Sequence, residues 1–440
     1  MINKICKQCG GNFSTEEDDL VLCKKFEVGE PANCVDCRQQ RKFSYRNESS
    51  LYRRDCDKCG KAMIAMFPPN CAVKVYCDKC WWSDKFEPVK YGQDFDFDRP
   101  FFEQFAELVG KTPLPHLIIG NGENSDYTNY SWANNNCYMI SASDYSEDCY
   151  YGTYIQRSKN CIDCTFISDS ELCYQCVDCK KCYDSNFLEQ CMNCVSSDFC
   201  FDCKDCQNCF SCMGLRRKEY HVFNKPCSKE EYKKIKAEVL GSSENIKSFA
   251  EKFASFKLKF PHKFADIENC ENCTGDHLSN SKDLKYCFDS VESQDLSYTS
   301  LGLKTKDCFD CVGVAGSELC YETVAAPENY NLRCCAVIWP KSTFLDYCLL
   351  SRMSNYCFGC VSLHKNQYCI LNKQYKKDEY EELVPRIIEH MKKPSKAGQA
   401  GEWGEFFPVK ISPFSYNETI ANDFYPLEKV EVMKRGWKWI

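Results

Sequence analysis

Residues 161–182 read Cys161-Ile-Asp-Cys164-Thr-Phe-Ile-Ser-Asp-Ser-Glu-Leu-Cys173-Tyr-Gln-Cys176-Val-Asp-Cys179-Lys-Lys-Cys182. The cysteines in this stretch fall on a three-residue grid, and the grid extends from Cys137 to Cys212, where it holds fifteen cysteines. A period of three fits neither an α-helix, at about 3.6 residues per turn, nor a flat strand, at about 2. The pattern therefore predicts a tight β-solenoid in which every third side chain points inward.

The length of one coil follows from the shift that best superposes cysteine on cysteine. A shift of 12 residues matches nine pairs, whereas shifts of 9, 15 and 18 match seven each. Stacked strands lie about 4.8 Å apart, so a thin coil admits mainly small inward residues such as Cys, Ser, Gly and Ala. A 12-residue coil is similar to that of some insect antifreeze β-solenoids, and an 18-residue coil stays open.

The grid pattern occurs twice. The stretch Asn160-Cys-Ile-Asp-Cys…Ser170-Glu-Leu-Cys-Tyr174 matches Asp307-Cys-Phe-Asp-Cys…Ser317-Glu-Leu-Cys-Tyr321 at an offset of 147, and later matches have an offset of 148. We therefore place a one-residue bulge between Cys335 and Cys348. Leu, Thr, Ala and Val replace several inward cysteines in the second copy, which argues against every cysteine being a metal ligand.

Two cysteine quartets precede the grid. The first is Cys6-x2-Cys9-Gly followed by Cys34-x2-Cys37, and the second is Cys56-x2-Cys59-Gly followed by Cys77-x2-Cys80. Four thiolates in two Cys-x2-Cys knuckles are typical of a closed tetrahedral zinc site, and the glycine permits the tight turn. The sequence thus predicts two structural zinc ions. Cys23 and Cys71 are left over, as small apolar residues or spare ligands.

These observations predict a mainly β protein with two N-terminal zinc ribbons, a duplicated cysteine-rich parallel β-solenoid and capping α-helices. Helices are expected near 99–109, 229–240, 244–257 and 376–392, and Ser228 and Glu231 form a capping box at the start of the second. The predicted segments are ribbon 1 (1–48), ribbon 2 (49–85), a helical and extended cap over the first coil (86–133), solenoid half 1 (134–226), a helical insert (227–267), solenoid half 2 (268–373), a capping helix (374–394), and a linker with an aromatic tail (395–440).

Composition narrows the classes of function. The net charge of −7 argues against a general polyanion binder. No apolar run reaches the roughly 18 residues of a membrane span, and the N-terminus lacks the apolar core of a signal peptide. For the 38 cysteines we expect reduced thiols in the cytoplasm, with a secreted disulfide scaffold as the alternative. None of the six histidines lies in a catalytic or metal motif, so the sequence predicts no enzymatic activity.

Several stretches resemble known sequences. Cys6-Lys-Gln-Cys9-Gly-Gly-Asn-Phe13 and Cys34-Val-Asp-Cys37-Arg38 look like a zinc-ribbon family. With Arg99-Pro-Phe-Phe-Glu-Gln-Phe105 and Tyr368-Cys-Ile-Leu-Asn-Lys-Gln-Tyr375, the whole chain resembles uncharacterised cysteine-rich zinc-ribbon proteins of uncultivated small-genome bacteria. The resemblance implies zinc binding and no particular reaction.

Three functions are compatible with the sequence. The first is a zinc-binding interaction scaffold whose ribbons and rigid solenoid surface bind a macromolecular partner, most simply a protein. The second is an iron–sulfur or multi-metal redox protein that uses the solenoid cysteines, although the Cys-Pro ending of ferredoxin runs is absent. The third is nucleic-acid binding by the ribbons through Arg38, Arg41, Lys42 and Arg46, although residues 1–60 are nearly neutral. The sequence does not define the oligomeric state.

Overall fold

The computed structural model describes residues 2–310, 312–324, 328–334, 336, 341–394 and 401–440. The chain forms two compact units. One unit comprises Met1–Met63, Phe67–His116 and Phe264–Ile440, and the other comprises Ile64–Met66 and Leu117–Lys263. Within the described residues the protein is mainly β, with many parallel strands and nine α-helices. The finer division into ribbons, caps and solenoid halves stays a prediction.

The unit that holds residues 117–263 contains a stack of short parallel strands, which we call the first stack. Its strands are Ile119–Gly120, Tyr127–Asn129, Ser131–Trp132, Tyr138–Ser141, Tyr150–Gln156, Thr165–Ser168, Glu171–Tyr174, Val177–Lys180, Tyr183–Asn186, Gln207–Phe210, Glu219–Val222 and Lys225–Pro226. Tyr138 pairs with Tyr150, Thr153 with Thr165, and Glu171 with Tyr183. Each of these pairs is 12 residues apart, so the register has the shorter of the two lengths that the sequence allows.

The backbone explains the period of three. Asn160, Asp163, Phe166 and Asp169 have φ angles of 53°, 55°, 53° and 51°, and such left-handed residues recur at every third position through most of the stack. One residue therefore points inward, one continues the strand, and one turns the chain. Asn and Asp tolerate the left-handed region better than other non-glycine residues, which accounts for their abundance off the cysteine grid.

The interior of the first stack is made mostly of thiols. Its core cluster contains fifteen cysteines, three isoleucines and one leucine, each at most 2% exposed. Inward serines form a hydrogen-bonded column beside them: Ser158 Oγ donates to the Gln156 carbonyl at 2.9 Å and accepts from Ser170 N at 3.2 Å. Small polar groups can thus be buried here because the neighbouring coils supply their partners.

A second stack lies in the other unit. Its strands are Ile267–Glu268, Glu271–Ser279, Lys282–Val291, Gln294–Ser297, Gly302–Leu303, Lys306–Phe309, Val314–Ala315, Glu318–Cys320, Tyr330–Arg333, Thr343–Asp346, Asn355–Phe358, Gln367–Ile370 and Lys373–Gln374. The pairing offset is 12 between Leu296 and Cys308 but 13 between Leu332 and Leu345. The extra residue therefore enters between those two strands, where the bulge is predicted; Cys335 itself lies outside the described residues.

Shorter elements flank the stacks. The strands near the two cysteine quartets are Ile2–Ile5, Asn12–Thr15, Tyr52–Asp55, Ala62–Ala65 and Val75–Tyr76, the last of which pairs with Leu114–Pro115. The helices are Glu17–Lys25, Val35–Phe43, Asp78–Trp81, Phe101–Lys111, Lys229–Leu240, Ser243–Lys257, Lys377–Lys392, Ile420–Phe424 and Lys429–Lys434, with 3-10 turns at Pro88–Tyr91, Val409–Ile411 and Tyr416–Glu418. Among the described helices, none has the length and apolarity that a membrane crossing requires.

Two helices pack against the sides of the stacks, and the packing of one of them differs from the expectation. Helix Phe101–Lys111, expected to cover the first coil, packs instead on the second stack, with the Phe101 ring 5.1 Å from Tyr347 and 5.4 Å from Phe358. Helix Ser243–Lys257 packs along the side of the first stack, where the Phe249 ring lies 5.3 Å from Phe210. The apolar face of each helix covers aromatic side chains at one corner of a stack. A corner is the column of left-handed residues, with their neighbours, where successive coils turn.

Candidate metal centres

The first cysteine quartet meets at one point. A hairpin formed by Ile2–Ile5 and Asn12–Thr15 presents Cys6 and Cys9, while Cys34 is the N-cap of helix Val35–Phe43, which carries Cys37. The four Sγ atoms all lie within 4.8 Å of one another, and Cys9 Sγ is 3.9 Å from Cys34 Sγ. Gly10 has a φ of 74°, which a residue with a side chain adopts only with strain.

The second quartet repeats this geometry. The Sγ atoms of Cys56, Cys59, Cys77 and Cys80 also lie within 4.8 Å of one another, and Cys59 Sγ is 3.8 Å from Cys77 Sγ. Cys77 is the N-cap of helix Asp78–Trp81, and its φ and ψ of −64° and 163° equal those of Cys34. The two sites therefore share one local fold despite their different spacers.

Both quartets fit a zinc ion. Four thiolates at the usual Zn–S distance of about 2.3 Å form a tetrahedron whose sulfurs are about 3.8 Å apart. The Sγ–Sγ separations of 3.9 Å in the first quartet and 3.8 Å in the second agree with that edge length. With all four positions held by cysteine, such a centre has no open position for a substrate.

Backbone hydrogen bonds favour the thiolate form of one cysteine in each quartet. Burial acts to raise the pKa of Cys6, but hydrogen bonds from the backbone N–H groups of Cys9, Cys34 and Gln8 lower it to about 6. In Cys56, burial is likewise opposed by the N–H groups of Cys77, Cys59 and Lys58, and the pKa falls to about 7.

Four of the remaining thiols do not ionise as readily. Burial and neighbouring thiols raise the pKa of Cys80 to about 12, and the pKa values of Cys34, Cys37 and Cys77 are also raised, chiefly by burial. A divalent cation would favour the thiolate form of all four ligands, because its charge offsets their mutual repulsion.

Two polar side chains support the sites and were missed by the sequence analysis. Asn33 Oδ1 accepts from Gln8 N at 3.0 Å beside Cys6, and Asp57 Oδ2 accepts from Val75 N at 2.6 Å beside Cys56. Each fixes one knuckle against the other. Each is a short polar residue next to a ligand cysteine, and nothing in the sequence distinguishes it from an ordinary exposed polar residue.

The leftover and inward cysteines form no further quartet among the described residues. Cys23 is buried, which raises its pKa to about 11, and Cys71 Sγ lies 3.0 Å from Arg54 Nη1. An inward thiol such as Cys149 donates toward the carbonyl oxygens of Glu147 and Ser158, at 3.3 and 3.5 Å. These contacts are those of a small buried side chain with a weak donor.

The four basic residues proposed for nucleic acid are not on the surface. Arg38, Arg41, Lys42 and Arg46 are 3%, 8%, 0% and 5% exposed. Arg38 Nε lies 2.8 Å and Lys42 Nζ 2.5 Å from the two oxygens of Asp310. The structure therefore contradicts an exposed basic patch here, because the helix turns these cations toward acidic groups of its own unit.

The remaining cations of this group are paired in the same way. Arg41 Nη2 lies 3.1 Å from Glu405 Oε2 and 3.9 Å from Glu322 Oε2, and Arg46 pairs with Glu48. Burial raises the pKa of Glu322 to about 7, and Arg41 and Lys42 oppose that shift. Helix Val35–Phe43 thus joins the first metal centre to the second stack through a buried ionic cluster.

The second metal centre also adjoins the second stack. Trp81 follows Cys80 directly, and its ring lies 4.2 Å from that of His364. The Arg352 guanidinium lies 3.5 Å from the centre of the Trp82 ring. Burial, with Arg352 and Lys365, lowers the pKa of His364 to about 3, so this histidine is neutral and serves packing.

Comparisons with known proteins give little. No family model and no curated protein matches the chain. A crystal structure described as a "putative acetyltransferase" from Desulfovibrio desulfuricans G20 is similar over 60% of this chain and 71% of its own, at 9% identity and a TM-score of 0.12.

That similarity bears on one expectation from the sequence. As a correction, the prediction that the chain is not an enzyme is withdrawn, since the matched structure is named as an enzyme. At this identity and TM-score the likeness carries no argument about fold, substrate or reaction.

Proposed function

We propose that the chain is a zinc-binding interaction scaffold. Two zinc ribbons fix the conformation of the N-terminal segments, and two tight β-solenoids present rigid surfaces to a protein partner. The observation that carries the proposal is the pair of cysteine quartets whose Sγ separations match a tetrahedral zinc site. An all-thiolate tetrahedral site is typical of zinc or of an iron–sulfur centre. Two Cys-x2-Cys pairs that close on one point favour zinc.

The solenoid interpretation is supported by the 12-residue register and the left-handed turn at every third residue. A regular stack holds its outward side chains in fixed columns, which is how repeat proteins build extended binding surfaces. The resemblance to zinc-ribbon proteins agrees with this function. We place the chain in the cytoplasm, where thiols stay reduced and zinc-type cysteine spacings are more common than disulfide frameworks.

Metal analysis of protein purified without oxygen tests the proposal. We expect two zinc ions per chain, no iron, and all 38 cysteines titrating after unfolding and chelation. Cys9→Ser and Cys59→Ser should each lose one zinc, because each removes a ligand of a different quartet. The matched control Cys209→Ser, at an inward stack position, should retain both ions.

Other outcomes would replace this proposal. Iron with acid-labile sulfide, or additional zinc that Cys209→Ser removes, would make the inward cysteines the functional site. Disulfides in place of free thiols would overturn the reduced-core interpretation and the assignment to the cytoplasm.

A further inference from the structure

The first stack exposes an unusual set of apolar side chains along one corner. Tyr138, Met139, Tyr151, Ile162 and Tyr174 are 39%, 41%, 55%, 41% and 37% exposed. They occupy successive coils, and Tyr138 and Tyr151 already contact each other edge to face at 5.7 Å. A contiguous apolar patch on a stable surface is typical of an interaction site.

The internal duplication identifies the equivalent corner of the second stack. At the offset of 147, Tyr151 corresponds to Tyr298, Ile162 to Phe309, Asp163 to Asp310, and Tyr174 to Tyr321. The residue types are the same at three of these four positions, and the fourth stays apolar. Yet Phe309, Asp310 and Tyr321 are 0% exposed, whereas their counterparts face solvent.

Helix Val35–Phe43 covers this corner of the second stack. The Arg38 guanidinium lies 5.6 Å from the ring centre of Tyr298 and 5.4 Å from that of Phe309. The same guanidinium pairs with Asp310 through Nε at 2.8 Å. One arginine on an amphipathic helix thus satisfies a tyrosine, an apolar residue and an aspartate together.

The corner of the first stack is covered in its last coils. Phe199 contacts Phe253 at 6.3 Å, and Lys236 pairs with Asp198 at 3.0 Å, both from the helices that follow the stack. That cover again combines aromatic packing with a cation on an aspartate. The earlier coils carry the same kinds of side chain, but Tyr151, Ile162 and Asp163 are exposed there, with no helix of the described ranges covering them.

The charge of this surface indicates which kind of group it can bind. Asp163 is exposed and has no ion-pair partner within the described part of the chain. A surface cavity of about 470 Å³ beside the patch is lined by residues that include Asp126, Tyr138 and Asp148. Acidic and aromatic groups together favour a cation, and arginine suits both better than lysine does.

We propose that Tyr151, Ile162, Asp163 and Tyr174 form a docking site for an amphipathic helix of a partner protein, with an arginine directed at Asp163. The chain's own helix Val35–Phe43 is engaged on the second stack, so the occupant comes from another protein. This inference rests on the proposed scaffold function and specifies the class of partner, by the helix-in-groove mode of recognition.

A helical peptide provides the direct test. The probe is a fluorescent, lactam-stapled peptide with the sequence of residues 33–46, in which both cysteines are replaced by serine. Added to the full zinc-loaded chain, it should bind saturably with a Kd on the order of 10–100 µM, as expected for a small transient contact. Asp163→Asn and Tyr151→Ser should each weaken binding about tenfold.

Matched variants separate this site from general charge attraction. Asp205→Asn changes an exposed aspartate that also has a left-handed backbone, with a φ of 56°, on another corner, and should leave binding unchanged. A peptide carrying Arg38→Ala should bind about tenfold more weakly to the wild-type chain, and Asp163→Asn should then cause little further loss, because the two changes remove one interaction.

Two results would overturn the inference: no saturable binding of the peptide, or binding that Asp163→Asn and Tyr151→Ser leave unchanged. Zinc content of the same preparations distinguishes the two proposals. A chain that keeps two zinc ions but binds no peptide leaves the scaffold function intact and removes this docking site, whereas a different metal content would overturn the scaffold function itself.

Discussion

Asp163 and Asp310 occupy the same position of the duplicated pattern, yet one is solvated and the other is completely buried beneath two cations. Their backbone is nearly the same, with φ angles of 55° and 66°. The local repeat therefore specifies the coil, while residues more than 260 positions away in the chain decide what the corner of that coil contacts. The functional character of each corner comes from this non-local cover.

The two interiors differ in composition and agree in geometry. Among the described residues, cysteine supplies fifteen of the nineteen in the apolar core cluster of the first stack but seven of the thirteen in that of the second, where leucine supplies the other six. Leu296 and Cys149 are equivalent positions at the offset of 147, and each is at most 1% exposed. At this inward position the coil therefore accepts a compact apolar side chain, and the thiol is one way to provide it.

The largest loss of stability should come from removing the buried carboxylate at the corner of the second stack that helix Val35–Phe43 covers. Asp310→Asn removes the carboxylate that faces Arg38 and Lys42 and leaves two buried cations without their ion-pair partner. We expect a loss of about 3–5 kcal/mol in the free energy of unfolding. Urea unfolding of the zinc-loaded chain, followed by tryptophan fluorescence, measures it.

The equivalent change in the first stack is the control. Asp163→Asn alters an exposed carboxylate in the same backbone conformation, so we expect a change within about 0.5 kcal/mol. Similar losses in the two variants would show that the corners are equivalent in solution, which would contradict the burial difference.

The sequence predicted those features that are local. The cysteine quartets, the three-residue grid, the duplication and the helices Lys229–Leu240 and Lys377–Lys392 all rest on spacing within short windows. The burial of Arg38 and Lys42 could not be predicted from the sequence. A run of cations on a helix next to a cysteine knuckle is typical of a solvent-exposed face. Only the fold brings Asp310 and Glu405 to that helix.

The same dependence on distant contacts explains why the packing of helix Phe101–Lys111 was predicted wrongly. Its apolar face was evident from the sequence, but the surface that it covers is a pair of aromatic residues, Tyr347 and Phe358, more than 240 positions later. Aromatic residues off the grid occur in both stacks, so pattern alone could not assign the partner. Contact between distant elements is decided by packing.

A moderate loss of stability should show whether the inward side chains of the stacks only fill the core or also bind metal. Leu296→Ala should cost about 2–5 kcal/mol, because it opens a cavity in a closed stack. Cys149→Ala removes a single buried sulfur and should cost about 1 kcal/mol. Urea unfolding midpoints and zinc content give both measurements, and both variants should retain two zinc ions. A loss of metal, or a larger cost in Cys149→Ala, would indicate a role for this thiol beyond packing.

The smallest effect concerns a second corner and depends on pH. His364 is packed beneath Trp81, while its equivalent at the offset of 148, Arg216, is partly exposed and pairs with Asp202 at 2.8 Å. In the unfolded chain a histidine takes up a proton below its ordinary pKa of 6.5, whereas folded His364 does so only near 3. Its contribution to stability is therefore fully present above pH 6.5 and declines as the pH falls toward 3.

Between pH 7 and 5.5 this single group should destabilise the folded chain by about 1 kcal/mol. His364→Gln should remove that increment, so the variant should lose less stability than the wild type over the same interval, whatever its stability at pH 7. Arg216→Gln is the matched control and should follow the wild-type pH dependence, because the exposed arginine stays charged throughout. Parallel curves for His364→Gln and the wild type would mean that the imidazole is hydrated in solution, and that the cover of this second corner is looser than its ring contacts with Trp81 imply.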